Sequence, residues 1–111
     1  MPKHEFGLMP ETPGETVRYD AYEPEKYGCI VVDDVLIEPI LMELQAVDCY
    51  WHTRAVPGNG LAYCGVTLIP PSSMAALANV LRGRNESGLA ELLALAETAK
   101  RDGRYIIHFG I

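Results

Sequence analysis

The stretch Cys49–Ile69, CYWHTRAVPGNGLAYCGVTLI, decides the fold that we predict for this chain. Two apolar runs rich in aromatic residues flank Pro57-Gly58-Asn59-Gly60. The Asn-Gly dipeptide tolerates the positive φ of a tight turn. The pattern therefore predicts a β-hairpin, with strands over residues 50–56 and 61–69.

Residues on either side of the hairpin supply the other predicted elements. The β-branched run Ile30–Val32 and the apolar run Tyr105–Phe109 are typical of short strands. Apolar residues recur at helical spacing in three segments, which predicts helices over residues 36–47, 73–82 and 87–102. Because proline is tolerated only in the first turn of a helix, Pro39 makes the first of them start late.

The order of these elements predicts an α+β fold of the ferredoxin-like βαββααβ type, a sandwich of an antiparallel sheet with helices on one face. Right-handed crossovers would place the first and third strands in the centre. The single α+β domain is expected to span residues 29–111. Residues 1–28 hold four of the eight prolines and form an extended N-terminal arm, packed on the domain or on a partner. Within the arm, residues 4–9 could form a short edge strand.

The sheet face that the helices leave open is predicted to carry aromatic and histidine side chains. Side chains alternate between the two faces of a strand, and the even-numbered residues of 62–68 are all small or apolar. We therefore expect those residues against the helices. The open face would then carry the odd-numbered residues and their neighbours across an even-length loop: Tyr50, His52, Arg54, Tyr63, Gly65 and Thr67. His108 is expected on the same side, and a loop of odd length would reverse the facing of the hairpin.

Composition restricts the possible classes of function. The chain has 111 residues, which favours one domain, and a net charge of −6 with nine scattered Lys and Arg residues. Clustered cations are needed to bind nucleic acid or anionic membrane, so neither partner is expected. Three cysteines without a CxxC pair disfavour a disulfide framework, and no apolar run approaches the roughly 20 residues of a membrane span. We expect a small, acidic, soluble protein of the cytoplasm.

His52 is the candidate functional residue, because an imidazole titrates near neutral pH and can act as a general acid or base. Tyr50, Arg54, Tyr63 and Thr67 would line a ligand site or an interface around it. No motif specifies a reaction or a cofactor, and no second catalytic group pairs firmly with His52. We therefore predict no cofactor and a non-enzymatic binding or assembly protein, which uses the open face in a homodimer.

Two alternatives remain open. The first is a small cofactor-free enzyme, with His52 as general acid or base in an open-face pocket that holds a small-molecule ligand. The second and weaker one is a metal-binding protein that uses His4, His52 and His108. No two histidines have the spacing of metal ligands, so no metal site is predicted.

Overall fold

Six strands form one sheet, and the computed structural model describes residues 2–111. In chain order the strands are β1 (Lys3–Leu8), β2 (Ile30–Asp33), β3 (Asp48–Trp51), β4 (Pro57–Asn59), β5 (Val66–Ile69) and β6 (Ile106–Phe109). Across the sheet their order is β2-β1-β6-β5-β3-β4, and every neighbouring pair is antiparallel. The predicted α+β class with an antiparallel sheet is confirmed.

Two short helices precede β3 and two longer ones precede β6. They are α1 (Asp34–Ile37), α2 (Leu41–Leu44), α3 (Met74–Arg84) and α4 (Ala90–Asp102). A 3₁₀ turn that contains Pro39 separates α1 from α2, because proline cannot donate the backbone hydrogen bond of a continuous helix. The first predicted helix is therefore broken, whereas the other two lie close to their predicted bounds. Across residues 2–111, no helix combines the length and the apolar character that crossing a membrane requires.

The strand order differs from that of a ferredoxin-like sheet because β1 lies inside the sheet. The prediction of an edge strand over residues 4–9 is wrong: β1 pairs with β2 on one side and with β6 on the other. Consequently β2 lies at the edge, and β6 pairs with β5. Residues His4, Glu5 and Phe6 are all buried, so their backbone groups need partners on both sides.

The central hairpin turns earlier than predicted. Residues 52–56 form the turn, and Pro57–Asn59, predicted to be the turn, is strand β4, which pairs with β3. The Trp51 side chain accounts for the difference. Its indole packs on Gly58 so closely that no Cβ would fit there, and its Nε1 donates to the Gly60 carbonyl over 3.0 Å. Gly58 is thus required by packing against Trp51.

Both faces of the sheet are covered, and the predicted facing of β5 and β6 is wrong. Ile69 and Ile106 belong to the core beneath the helices. A second core on the opposite face consists of Met9, Tyr27, Val66, Leu68, Tyr105, Ile107 and Phe109. By alternation, Thr67 and His108 therefore lie on the helix side of the sheet. The prediction failed because a row of apolar residues identifies the helix-facing side of a strand only when the other face of the sheet is exposed to solvent.

Residues 9–29, which we call the covering segment, lie across the face that was predicted to be open. Four of its side chains pack in or against the second core: Met9, Tyr19, Tyr27 and Cys29. The Tyr19 N–H donates to the His52 carbonyl over 2.7 Å, and Arg54 Nη1 donates to the Pro13 carbonyl over 2.9 Å. This face is buried within one chain, so a homodimer would have to use another surface.

Candidate functional site

His4 and His108 lie side by side in the core, and neither is exposed to solvent. The rings are stacked with centroids 5.1 Å apart, and His4 Nδ1 lies 2.8 Å from His108 Nε2. The β1–β6 register brings them together: Phe6 lies opposite His108, and His4 is two residues away on the same face of β1. The two rings therefore form one hydrogen-bonded unit.

This unit extends to the protein surface through Asp34, the first residue of α1. His4 Nε2 lies 2.8 Å from Asp34 Oδ1, and the Tyr63 hydroxyl donates to Asp34 Oδ2 over 2.7 Å. Tyr63 belongs to the loop before β5 and is partly exposed. Tyr63 and Asp34 are thus the end of the unit that solvent can reach.

Thr67 on β5 forms the buried end. Its Oγ1 lies 3.1 Å from His108 Nδ1 and accepts from the Ala62 N–H over 2.8 Å. If Asp34 is ionised and both rings are neutral, these partners fix one proton arrangement: each imidazole donates from Nε2 and accepts at Nδ1. Every nitrogen of the two rings then has a partner, and neither ring can accept a proton from a substrate without rearranging. We call these five residues (Tyr63, Asp34, His4, His108 and Thr67) the histidine chain.

Asp34 carries the negative charge of the histidine chain. Burial, together with the neighbouring His4, holds the pKa of His108 well below its ordinary value. Hydrogen bonds from Tyr63 and His4 lower the pKa of the Asp34 carboxyl. The same carboxylate raises the pKa of Tyr63 to about 12. At neutral pH the phenol is therefore protonated and Asp34 is ionised.

His52 lies apart from the histidine chain, at the turn after β3. Its Nδ1 is 2.7 Å from Asp20 Oδ1, an ion-pair distance, although the direction is not that of a hydrogen bond. Arg18 Nε donates to the same carboxylate over 2.9 Å, and Arg18 and His52 both lower the pKa of Asp20. The His52 backbone has a φ of 64°, in the left-handed region that non-glycine residues adopt at a cost. Its side chain is 32% exposed.

Tyr50 and Arg54 line a surface cavity of about 470 Å³. The other residues that line it are Glu15, Thr16 and Ala55. Arg54 is partly buried: Nη1 is bound to the Pro13 carbonyl, the guanidinium carbon is 5.7 Å from the Tyr105 ring centre, and Nε is enclosed without a partner. Within residues 2–111, no carboxylate comes close enough to pair with this guanidinium.

The structure distributes the predicted site residues over three places. Tyr63 and Thr67 belong to the histidine chain, His52 lies beside Asp20, and Tyr50 and Arg54 line the cavity. The histidines of the weaker metal alternative do not converge either, because His52 is separate from the other two. The described residues, 2–111, contain no group of three or more His, Cys, Asp or Glu side chains that could hold a metal ion.

Two carboxylates contact imidazoles, Asp20 and Asp34. No pattern in the sequence predicts a role for Asp20, and Asp33-Asp34, which resembles a carboxylate pair, is interpreted from the sequence as the acidic start of a helix. The Asp33-Asp34 doublet did carry a signal, because only one of its carboxylates can cap the helix that follows. Asp33 Oδ1 accepts from the Val35 N–H over 2.9 Å, which leaves Asp34 free for His4. Asp20 had no local signal, since its contact with His52 depends on the path of the covering segment.

Comparison with known proteins yields no relative: no family model, curated protein or solved structure matches the chain. Function is therefore inferred from the chemistry of the three places described above. The two rings of the histidine chain are buried, the His52 side chain beside Asp20 is partly exposed, and the guanidinium of Arg54 has no ion-pair partner among residues 2–111.

Proposed function

We propose that this chain is a non-enzymatic binding protein whose ligand occupies the cavity lined by Tyr50 and Arg54. The observation that carries the proposal is the partly buried guanidinium of Arg54, which has no carboxylate partner among residues 2–111. Charged groups removed from water are normally paired, because an unpaired ion loses solvation without compensation. A ligand anion would supply the missing partner.

The lining of the cavity favours a small ligand with a single carboxylate. Nη1 of Arg54 donates to the Pro13 carbonyl and Nε is enclosed, so Nη2 is the nitrogen left to donate to a ligand carboxylate. Tyr50 offers an aromatic surface, which suits an apolar or aromatic body attached to the acid group. Glu15 lines the same cavity, and the protein's net charge is −6, so a multiply charged anion would be repelled.

Thermal denaturation with and without sodium benzoate tests the ligand site. We expect benzoate to raise the unfolding temperature of the wild type, because a ligand that binds only the folded state stabilises it. Arg54→Gln should abolish this rise. Arg84→Gln, which removes an exposed arginine at the end of α3, is the matched control and should retain it. Equal shifts in all three proteins would contradict the proposal.

We also propose that the protein assembles as a homodimer through the free edge of β2. The Asp34 N–H donates to the Pro2 carbonyl over 3.1 Å, which defines the hydrogen-bonded pairs between β1 and β2. Because such pairs alternate in an antiparallel ladder, the N–H and C=O of Val31 point away from β1. These groups can pair with the same groups of a second copy, in an isologous two-fold interface.

Exposed apolar side chains accompany this edge. Val31 is 54% exposed on β2, and nearby in the chain Val35 and Met42 are 68% and 83% exposed. Antiparallel pairing with Val31 opposite Val31 of the second copy would place Asp33 opposite Cys29, so the carboxylates would not face each other. The edge therefore combines free hydrogen-bonding groups with the exposed apolar side chain of Val31, which favours pairing between chains.

A cofactor-free enzyme is the second candidate function, and the contact between His52 and Asp20 favours it. The Asp20 carboxylate lies 2.7 Å from Nδ1 of a partly exposed imidazole, which places a negative charge beside a candidate general base. A panel of chromogenic esters and phosphate esters would test this candidate. Turnover that both His52→Gln and Asp20→Asn remove, and that His108→Gln retains, would support an enzyme over a binding protein.

A cytoplasmic location remains our proposal, and the state of the cysteines supports it. Cys29, Cys49 and Cys64 are all free thiols. Burial raises the pKa of Cys29 to about 11 and that of Cys49 to about 12, so both remain protonated and unreactive at neutral pH. Free thiols are typical of a reducing compartment.

A further inference from the structure

The histidine chain can take up one proton without losing its shape. If His4 gains a proton at Nδ1, it donates to His108 Nε2 and still donates to Asp34 from Nε2. The hydrogen of His108 then moves to Nδ1, which donates to Thr67 Oγ1. That oxygen can still accept from the Ala62 N–H, so only the hydrogen bond donated by the Thr67 hydroxyl is lost.

A second proton cannot be accommodated in this geometry. With both rings doubly protonated, an N–H of His4 would face an N–H of His108 across 2.8 Å, and two positive charges would lie in stacked rings without solvent. Like charges this close in the interior oppose each other strongly. The two β strands that carry the rings must then move apart.

The surroundings of the pair offer only one compensating charge. Asp34 faces it from α1, and the protonated phenol of Tyr63 faces Asp34 from the loop before β5. Helix α4, which packs against β1, contributes buried side chains that do not titrate: Leu92, Ala96 and Ala99. Glu5 of β1 points to the opposite face, where it accepts from the Tyr22 hydroxyl. Asp34 can balance one imidazolium but not two.

We propose that His4 and His108 form a pH switch, in which the second proton separates β1 from β6. Because β2 pairs only with β1, this releases both strands and the covering segment between them, residues 2–33. The covering segment carries Glu15 and Thr16, two of the residues that line the Arg54 cavity. Its release would dismantle that cavity, so acid would discharge the ligand. This last consequence rests on the proposed ligand site, whereas the switch itself does not.

Amide hydrogen exchange of β1 and ¹⁵N NMR of the imidazoles, both between pH 7.5 and 4.5 without ligand, test the switch. Because His108 gains its proton only on opening, the opening constant of β1 should rise about tenfold for each pH unit below about 6.5. His108 should remain neutral in the closed form throughout. The opening constant of β1 should depend on pH in the same way in His52→Gln, which alters the remaining histidine. In His108→Gln this pH dependence should be lost.

Several results would overturn the switch. One is protonation of both rings at once while β1 stays protected from exchange. Another is the same exchange profile in His108→Gln as in the wild type. If that variant does not fold, the imidazole spectra of the wild type still test the switch, because they show whether His108 stays neutral in the closed form. Failure of benzoate to bind at neutral pH would refute the ligand site and leave the switch standing.

Discussion

His4 Nδ1 and His108 Nε2 are joined by a 2.8 Å hydrogen bond across the boundary between β1 and β6, with both residues fully buried. This bond ties the N-terminal strand to the strand near the C-terminus. Because the pKa of His108 lies well below its ordinary value, the unfolded chain binds a proton that the folded chain does not. The pair therefore makes folding sensitive to pH.

We expect the free energy of unfolding to fall as the pH is lowered through about 6.5, the pKa of a histidine in an unfolded chain. The loss should approach about 1.4 kcal/mol per pH unit for one such group and continue to the folded pKa of His108. Asp34, whose pKa is lowered in the folded state, adds a further loss below about pH 4. Urea denaturation at pH 7, 6 and 5 measures the loss that is linked to His108. The same free energy of unfolding at all three pH values would contradict the lowered pKa of His108.

Removal of the Thr67 hydroxyl tests the buried end of the histidine chain. Thr67→Val leaves the fully buried His108 Nδ1 and the partly buried Ala62 N–H without their partner. A buried polar group without a partner costs about 1–3 kcal/mol, so urea denaturation at pH 7 should show a loss of that size. Thr98→Val on α4, which is only partly buried, serves as the control and should change stability little.

Two glycines should respond to alanine in opposite directions. Gly58→Ala would push a methyl group into the Trp51 indole and should disrupt the pairing of β3 with β4. Gly83→Ala meets nothing within 4 Å, and it lies inside α3, so it should stabilise the protein by about 0.5–1 kcal/mol. The thermal unfolding midpoints of both variants, compared with that of the wild type, measure these changes in stability. A tolerated alanine at 58 would mean that the early turn of the hairpin is wrong.

The proposed dimer gives a direct prediction for sedimentation. The wild type should sediment at about twice 12.2 kDa at micromolar concentration. Val31→Glu places a charge at the two-fold axis and should yield a monomer, because like charges in an interface repel. Val17→Glu alters a comparably exposed valine of the covering segment and should remain dimeric. A monomeric wild type over a wide concentration range would refute the assembly.

Much of the secondary structure could be predicted because its signals are local. The apolar spacing of α4 and the β-branched residues of β2 each identify an element without knowledge of the rest of the chain. The facing of β5 could not be predicted from the sequence. Val66 and Leu68 are buried under the covering segment, while Thr67 and Ile69 are buried under the helices. When both faces of a sheet are buried, alternation in hydrophobicity no longer shows which residues face the helices.

The candidate site was only partly predictable, for a related reason. Arg54 and Tyr50 were identified by their chemistry and do line one cavity. The pairing of His4 with His108 depends on β1 entering the sheet beside β6, a long-range event that no local pattern specifies. Residues that contact each other through strand order are visible only once that order is known.

The most direct test of the central claim, a ligand site at Arg54, is an NMR titration of the ¹⁵N-labelled protein with benzoate at pH 7. We predict that the Arg54 Nε–H resonance and the amides of Tyr50 and Thr16 shift progressively and saturate, while the Arg84 Nε–H does not move. Saturable shifts confined to these residues would establish the site. Shifts that include Arg84 equally, or none at Arg54 up to millimolar benzoate, would contradict it.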